Sequence, residues 1–158
     1  MKRTVLIALL VVCLAALTAT SASGDIDLTQ AGRIEALRLE TASGEIRAAL
    51  DDVGRSSVTS TSGDIGQVVA GAEKAALSST SGNIRFQAAA FGEVTIASTS
   101  GDVTAALPAQ PGFTADIRTA SGGFECGIAM AKDGKTYTCG DGSDRVSIHT
   151  TSGDIRLQ

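Results

Sequence analysis

Aromatic residues are scarce in this chain of 158 residues, which contains four Phe, one Tyr and no Trp. A conventional globular core or a sugar-stacking cleft would usually contain more of them. Basic residues are outnumbered as well, at 13 against 17 acidic residues, whereas nucleic acid binding needs basic patches with aromatic side chains nearby. The sequence therefore predicts no nucleic acid partner. It predicts a narrow core of small aliphatic side chains, and the length suits a single domain.

The first 22 residues have the composition of a secretory signal peptide. A basic pair, Lys2–Arg3, precedes an apolar run over residues 4–17, and small residues follow at 18–22. We predict cleavage after Ala22, with Ser21 as the alternative, and an exported protein that is periplasmic, at the cell surface or extracellular. Because the apolar run is short for a membrane span, retention as a membrane anchor is the weaker alternative. Cleavage leaves 11 basic against 17 acidic residues, a net charge of −6.

Cysteine is also rare. Cys13 falls within the signal peptide, and lipidation there is disfavoured because branched Val12 stands where a lipoprotein site has a small residue. After cleavage Cys126 and Cys139 remain, and export to an oxidising compartment favours a disulfide between them, with two free thiols as the alternative. Together with the single, distant His149 they do not make a set of metal ligands, so we predict no metal and no cofactor.

A four-residue phrase, Ser-Gly-Asp-Ile, returns at nearly constant spacing. The steps between its serines are 20, 19, 19, 19, 21 and 31 residues. A period of this kind is typical of stacked repeats. We therefore predict a single-domain, all-β solenoid over residues 23–158, similar to a β-helix or β-roll, with about 19 residues and two short strands per turn and about five to six turns. The copies of the phrase begin at Ser23, Ser43, Ser62, Ser81, Ser100, Ser121 and Ser152.

The residues around the phrase alternate between fixed and variable types. Apolar residues stand four places before and three places after its serine, and hydroxyl residues stand two places before it, which is the period-two pattern of strands with one buried face. Gly reaches positive φ without strain, and Asp tolerates left-handed geometry and can bond its own backbone, so the phrase is predicted to be a corner whose Ser and Ile point inward. A second, more variable corner closes each turn. The inward hydroxyls are expected to satisfy one another, or the adjacent backbone, along the stack. These hydroxyls belong to Thr41, Ser60, Ser79, Ser98, Thr119 and Thr150.

These features resemble a known family. The recurring phrase, the hydroxyl two places earlier, the signal peptide and the ending over residues 148–155 are similar to the bacterial putative-adhesin β-strand-repeat family of unknown function. The resemblance covers roughly residues 23–158. It implies a β-solenoid at the cell surface or in the envelope, and it implies no agreed activity and no catalytic residue.

The last interval of 31 residues breaks the repeat, and its excess lies between Phe124 and Val146. Asp133–Gly134 is typical of a hairpin tip, with Cys126 and Cys139 facing one another across the legs. We predict a disulfide-stapled excursion at about 125–145. The alternatives are a lid over the C-terminal end of the solenoid and a partner-binding finger. Because neither end of the repeat has an obvious cap, end-to-end self-association is a further expectation.

Catalysis and metal binding fit the sequence less well. The column formed by Asp25, Glu45, Asp64, Asn83, Asp102 and Asp154 is explained by turn formation without calcium. Glycoside hydrolysis needs two carboxylates about 5–10 Å apart, and repeated acids meet that distance trivially.

The function predicted is a structural or adhesive, non-enzymatic role in the envelope or at the surface, with a cell-surface glycan or an envelope protein as partner. Contact with a membrane would come only through an uncleaved signal or lipidation at Cys13. The alternative is a solenoid that binds or cleaves polysaccharide.

Outward hydroxyls form a partial array beside the inward ones. Flat arrays of Thr on solenoids can order water or bind ice. In sequence order this array is interrupted, which argues against that role. The interrupting residues are Glu40, Ala42, Arg118 and Ala120.

Overall fold

The structure is a computed structural model that describes residues 5–158, with side chains from residue 15 onward. Every regular element in this part of the chain is a β-strand. None of it forms a helix of the length and apolarity that a membrane crossing requires. The strands are β1 (Val5–Ser21), β2 (Ile26–Ser43), β3 (Ile46–Ser62), β4 (Ile65–Ser81), β5 (Ile84–Ser100), β6 (Val103–Ala106), β7 (Gly112–Ser121), β8 (Phe124–Cys126), β9 (Ala131–Asp133), β10 (Thr136–Gly140), β11 (Asp144–Ser152) and β12 (Ile155–Leu157).

Successive coils stack in parallel and in register. Ile46 lies beside Ile65, and Ile65 lies beside Ile84, so the isoleucines of the phrase form one buried column. The repeat of about 19 residues is therefore one coil, and the chain is an all-β solenoid of about five turns, as predicted. Stacking is what makes so short a coil stable, because each strand satisfies its backbone groups only on its neighbours.

Each coil has two arms that enclose the core. In β3 the inward side chains alternate from Ile46 to Leu50, and the phase of alternation changes at Val53–Gly54 before it resumes towards Ser60. We call the part from the phrase to this second corner the first arm, and the part from the second corner to the next phrase the second arm. The hydrogen-bonded ladder runs through the second corner, so one bent strand takes the place of the two short strands that we predicted. The ladder need not break, because neighbouring coils bend at the same place.

The phrase is a corner, with one correction to its orientation. Gly63 has a φ of +146°, and a Cβ there would lie 2.0 Å from the carbonyl oxygen of Gly44 in the coil below. Glycine is therefore required both for the backbone angle and for the close stacking of corners. The isoleucines point inward as predicted, but the serine of the phrase, Ser62 for example, is exposed. The glycine breaks the alternation, so Thr61 and Ser62 both face outward.

The last coils do not stack in chain order. The C-terminal coil, β11 and β12, lies between the coil that ends in β5–β6 and the coil formed by β7–β8. The excursion forms the hairpin β9–β10, with its turn at Gly134–Lys135, and β10 pairs antiparallel with Gly112–Asp116 of β7. The predicted hairpin is thus present, and it covers part of the C-terminal edge of the solenoid.

The N-terminal segment pairs with the solenoid in this structure. Residues 1–4 of the predicted signal peptide lie outside the described residues, and β1 runs parallel to β2. Cleavage after Ser21 or Ala22 stays a prediction. If it occurs, it removes β1 and leaves the edge of β2 unpaired, which is the physical basis for the expected end-to-end association.

Candidate functional site

The acids of the phrase are bonded to the next coil. The backbone N–H of Asn83 donates to Asp64 Oδ1 at 2.8 Å, and the N–H of Asp102 donates to Asn83 Oδ1 at 2.9 Å. The N–H of Asp154 donates to Asp102 Oδ1, and at the end of the stack Asp154 Oδ1 accepts from Gly123 N–H at 2.7 Å. We call this series of bonds the aspartate ladder. We expected these residues to bond their own backbone. They bond the adjacent coil instead, because in-register stacking places that amide within reach.

The aspartate ladder leaves little chemistry at the corner. Glu45 is the exception in the phrase, and its longer side chain pairs with Arg47 instead of the next coil. Among the described residues no group of three His, Cys, Asp or Glu side chains is placed to hold a metal ion. The column of acids is therefore explained by its structural bonds.

The buried hydroxyl column differs from expectation. Thr41 and Thr119 donate to the carbonyl oxygens of Gly24 and Gly153, at 3.4 and 3.3 Å. The remaining members are at least nine-tenths buried, and their hydroxyl oxygens have no hydrogen-bond partner among the described residues. The predicted bonding to one another or to the adjacent backbone is therefore wrong for them, because equivalent side chains on stacked coils lie about 4.8 Å apart, which is too far for a direct hydrogen bond. They are Ser60, Ser79, Ser98 and Thr150.

The outward hydroxyls, by contrast, form a continuous face on the second arm. In chain order Arg118 and Ala120 interrupt them. Because β11 lies between β5 and β7, however, those two residues lie on β7 at the end of the face and do not interrupt it. Four threonines then stand on four adjacent coils, about 4.8 Å apart. We call these residues, with the exposed neighbours on the same coils, the hydroxyl face. It comprises Thr59, Thr61, Ser62, Ser78, Thr80, Ser81, Thr99, Ser100, Thr151 and Ser152, and Ala97 and His149 complete its rows.

Ion pairs border the hydroxyl face at both ends. Arg38 pairs with Glu40 at 2.6 Å on the N-terminal side, and Arg118 pairs with Asp116 at 2.6 Å on the C-terminal side. Arg118 holds the pKa of Asp116 below its ordinary value through this hydrogen bond. The exposed His149 contacts Ser147 Oγ at 3.2 Å. Between the two pairs the hydroxyl face has no Asp, Glu, Lys or Arg, and its strands pair in register.

The first arm carries a shallow groove of about 550 Å³. Arg47 and Arg85 stand on either side of Gly66, whose missing side chain deepens the groove. Arg47 pairs with Glu45 and Asp27, whereas Arg85 has no carboxylate within 4 Å among the described residues.

A second ion network ties coils together at the second corner. Arg33 donates to Glu35 at 2.7 Å and to Asp52 at 2.8 Å, and it also bonds Glu73. These bonds raise the pKa of Arg33, chiefly through Glu35, so it stays charged at every accessible pH. Three acids on different coils therefore share one guanidinium at the surface of the stack.

The two cysteines are free thiols in this structure. Cys126 lies on β8 and is exposed, whereas Cys139 lies on β10, is buried and points at the carbonyl oxygen of Ala109 at 3.4 Å. Cys126 is outside the hairpin legs, so the two do not face one another across the hairpin as we expected. The disulfide Cys126–Cys139 stays a prediction, and counting free thiols in the purified protein would decide it.

A pocket that the sequence did not predict lies beside the hairpin, in the excursion for which a partner-binding finger was one alternative. It has a volume of about 400 Å³, and Phe124, Tyr137, Lys132, Lys135 and Arg118 line it. The two aromatics are the only ones in the described residues that are not buried. The break in the repeat after Gly123 was the available signal, because it is where the chain stops following its own pattern.

The chain matches a family model described as Toastrack DUF4097 over residues 10–158. It belongs to that family. The Toastrack match confirms the resemblance drawn from the recurring phrase, an unknown-function family with β-solenoid architecture. A solved structure described as a putative cell adhesion protein from Clostridium sporogenes ATCC 15579 is similar to this Toastrack chain. That match has 12% sequence identity and a TM-score of 0.48, and it covers 92% of this chain and 91% of the other. No curated protein matches the sequence.

Proposed function

We propose that this Toastrack protein is an exported β-solenoid of the cell envelope or surface with a structural and adhesive, non-enzymatic role. The observation that carries the proposal is the hydroxyl face, an uncharged array that continues over four adjacent coils. The acids that recur most insistently are held in the aspartate ladder, so they are engaged in stacking. The rigid stack supplies a scaffold, and the face supplies a surface for contact.

A surface glycan is the partner that the hydroxyl face suits best. Each Ser or Thr hydroxyl both donates and accepts a hydrogen bond, as sugar hydroxyls do. The hydroxyls repeat about every 4.8 Å along the stack, and Thr59 and Thr61 are about 6.6 Å apart along their strand, so a repeating polymer meets many equivalent groups. Single contacts of this kind are weak, and binding then depends on their number.

A glycan-binding assay that compares two single substitutions tests the proposal. Thr80→Gln places a long side chain at the centre of the hydroxyl face, and Thr29→Gln makes the same change on the exposed side of the first arm. We expect immobilised cell-wall glycans to retain the native protein and Thr29→Gln, and to lose Thr80→Gln, with no release of reducing ends. Equal retention of both variants would refute the role of the face. Release of reducing ends by the native protein would support the polysaccharide-cleaving alternative.

Ordered water is the second candidate ligand of the same face. The strand order favours it, because Thr61, Thr80, Thr99 and Thr151 follow one another without interruption. Thermal hysteresis that disappears in Thr80→Gln would support ice binding. Its absence in the native protein would leave glycan adhesion as the function of the face.

A further inference from the structure

The end of the solenoid formed by β7 and β8 is only partly covered. Strand β10 pairs with Gly112–Asp116 of β7 and reaches no further. The next inward side chains, Ile117 and Thr119, are therefore half-buried at the end of the core. Phe124, which stands where the other coils have an isoleucine or valine, is half-buried beside them. These residues form the floor of the pocket of about 400 Å³, which we call the end pocket.

Aromatic side chains are concentrated at the end pocket. Phe124 and Tyr137 pack edge to face, with ring centroids 5.2 Å apart. The other three aromatics of the described residues are buried in the core, so this pair is the aromatic surface of the domain. Exposed aromatic area in a pocket is typical of ligand sites.

Positive charge is concentrated there as well, although the chain as a whole is acidic. Lys132 and Lys135 line the pocket, and neither has a carboxylate within 4 Å among the described residues. The ammonium group of Lys132 lies over the ring of Tyr137, 5.3 Å from its centroid, which holds it in place.

The third cation, Arg118, is pre-oriented. Its Nε and Nη2 donate to Asp116 at 2.9 and 2.6 Å. Because a guanidinium has five donors, its Nη1 remains available for a ligand. Lys135 also contributes to the lowered pKa of Asp116, after Arg118 and His149, so its charge acts in the same region.

We propose that the end pocket binds an anionic sugar residue, with its carboxylate or phosphate group held by Lys132, Lys135 and Arg118. Such a ligand combines an apolar ring face, hydroxyl groups and one negative charge. The pocket offers a partner for each: the aromatic and aliphatic floor, the backbone edge of β7 beyond Asp116 that β10 leaves unpaired, and the three cations. The end pocket adjoins the end of the hydroxyl face, because Arg118 borders both, and it deepens the proposed glycan adhesion by adding a charge-selective contact.

Titration with defined sugars tests the end pocket. The probes are a trigalacturonate, a sugar phosphate such as glucose 6-phosphate, a neutral trigalactose and a short poly-glutamate peptide. Isothermal calorimetry should show saturable binding of at least one of the two anionic sugars, weakened by added salt, and no measurable binding of the neutral sugar. Binding of the trigalacturonate would identify a carboxylate as the anionic group, and binding of glucose 6-phosphate would identify a phosphate. Equal binding of the neutral sugar, or tighter binding of poly-glutamate, would overturn the proposal.

Matched variants locate the binding. Lys135→Gln changes an exposed residue at the hairpin turn, and we expect the dissociation constant to rise about tenfold, as loss of one charged contact does. Arg85→Gln removes an equally unpaired cation from the groove on the first arm and should change nothing. Phe124→Leu, which keeps the apolar packing, should weaken binding several-fold. Equal affinity of native protein and Lys135→Gln, with unchanged melting temperatures, would refute the site.

The variant Thr80→Gln separates this inference from the proposed function. It alters the hydroxyl face and leaves the end pocket intact, so it should bind the anionic sugar as the native protein does. Loss of sugar binding in Thr80→Gln would place that binding on the hydroxyl face and overturn the end pocket.

Discussion

Asp102 Oδ1 accepts a hydrogen bond of 2.9 Å from the backbone N–H of Asp154, although 52 residues separate the two. The same bond joins residues 19 apart from Asp64 to Asn83 and from Asn83 to Asp102. It recurs here because the C-terminal coil occupies the place next to β5–β6. This contact therefore joins the regular coils to the inserted one.

Removal of the Asp102 carboxylate tests the aspartate ladder. We expect Asp102→Ala to lower the free energy of unfolding by about 1–2 kcal/mol, because it leaves the N–H of Asp154 without its acceptor. Asp102→Asn should be close to native, since Asn83 Oδ1 makes the equivalent bond in the native ladder. Urea denaturation of the three proteins measures the difference. Equal destabilisation by Ala and Asn would show that charge, and not the ladder bond, is responsible.

The ladder can also be completed. Glu45 occupies the acid position of the phrase but bonds Arg47, not the amide of Asp64. Glu45→Asp should stabilise the protein by about 0.5–1 kcal/mol, because the shorter side chain reaches that amide and the lost surface ion pair contributes little. Glu45→Ala is the control, and it should show no gain in thermal melting. A fall in stability with Asp would contradict this account.

The corner glycines should differ sharply from other glycines. Gly63→Ala forces a Cβ to 2.0 Å from the carbonyl oxygen of Gly44 at a φ of +146°, and we expect a loss of about 2–4 kcal/mol. At Gly66 a Cβ would meet its nearest atom, the Ile46 carbonyl oxygen, at 3.8 Å. Gly66→Ala should therefore be neutral or slightly stabilising. Chemical denaturation that ranked the two variants equally would refute the steric argument.

The buried hydroxyls should be dispensable. Ser79 Oγ is buried without a hydrogen-bond partner among the described residues, so Ser79→Ala should raise stability by about 1 kcal/mol. Ser81→Ala, at an exposed serine on the same coil, should have no effect. Differential scanning calorimetry compares them. Destabilisation by Ser79→Ala would indicate that an ordered water satisfies the hydroxyl.

Acid should weaken the stack through two ion pairs. The hydrogen bond from Arg118 lowers the folded-state pKa of Asp116, and the hydrogen bond from Lys74 lowers that of Glu93, from ordinary values of 3.8 and 4.5. A carboxyl whose pKa falls on folding contributes stability above its unfolded value, and that contribution is lost as pH falls through the folded value. Stability should therefore decline below about pH 4.5. Lys74→Gln and Arg118→Gln should flatten the decline in a pH series of melting curves, and an unchanged slope would contradict this assignment.

Much of the fold could be predicted from the sequence because the repeat is strong. Ile46, Ile65 and Ile84 are buried as predicted, since a period-two pattern constrains which face is inside. The orientation of Ser62 could not be predicted, because the φ of Gly63 breaks the alternation at that point. The place of Arg118 at the end of the hydroxyl face could not be predicted either, because strand order depends on contacts that are far apart in sequence.

The sequence by itself determined the coil: its length, its inward isoleucines and a glycine corner that no other residue could occupy without strain. Those properties depend on neighbouring residues, so each copy of Ser-Gly-Asp-Ile predicts the same corner and the same inward side chain. The tertiary structure alone decided the order of the last coils, because β11 could stack on any exposed coil edge and the pairing with β5 and β7 is set by the whole assembly. That choice makes the hydroxyl face continuous. The pairing of β10 with β7 brings Lys132, Lys135 and Arg118 around the half-buried Phe124 and Tyr137.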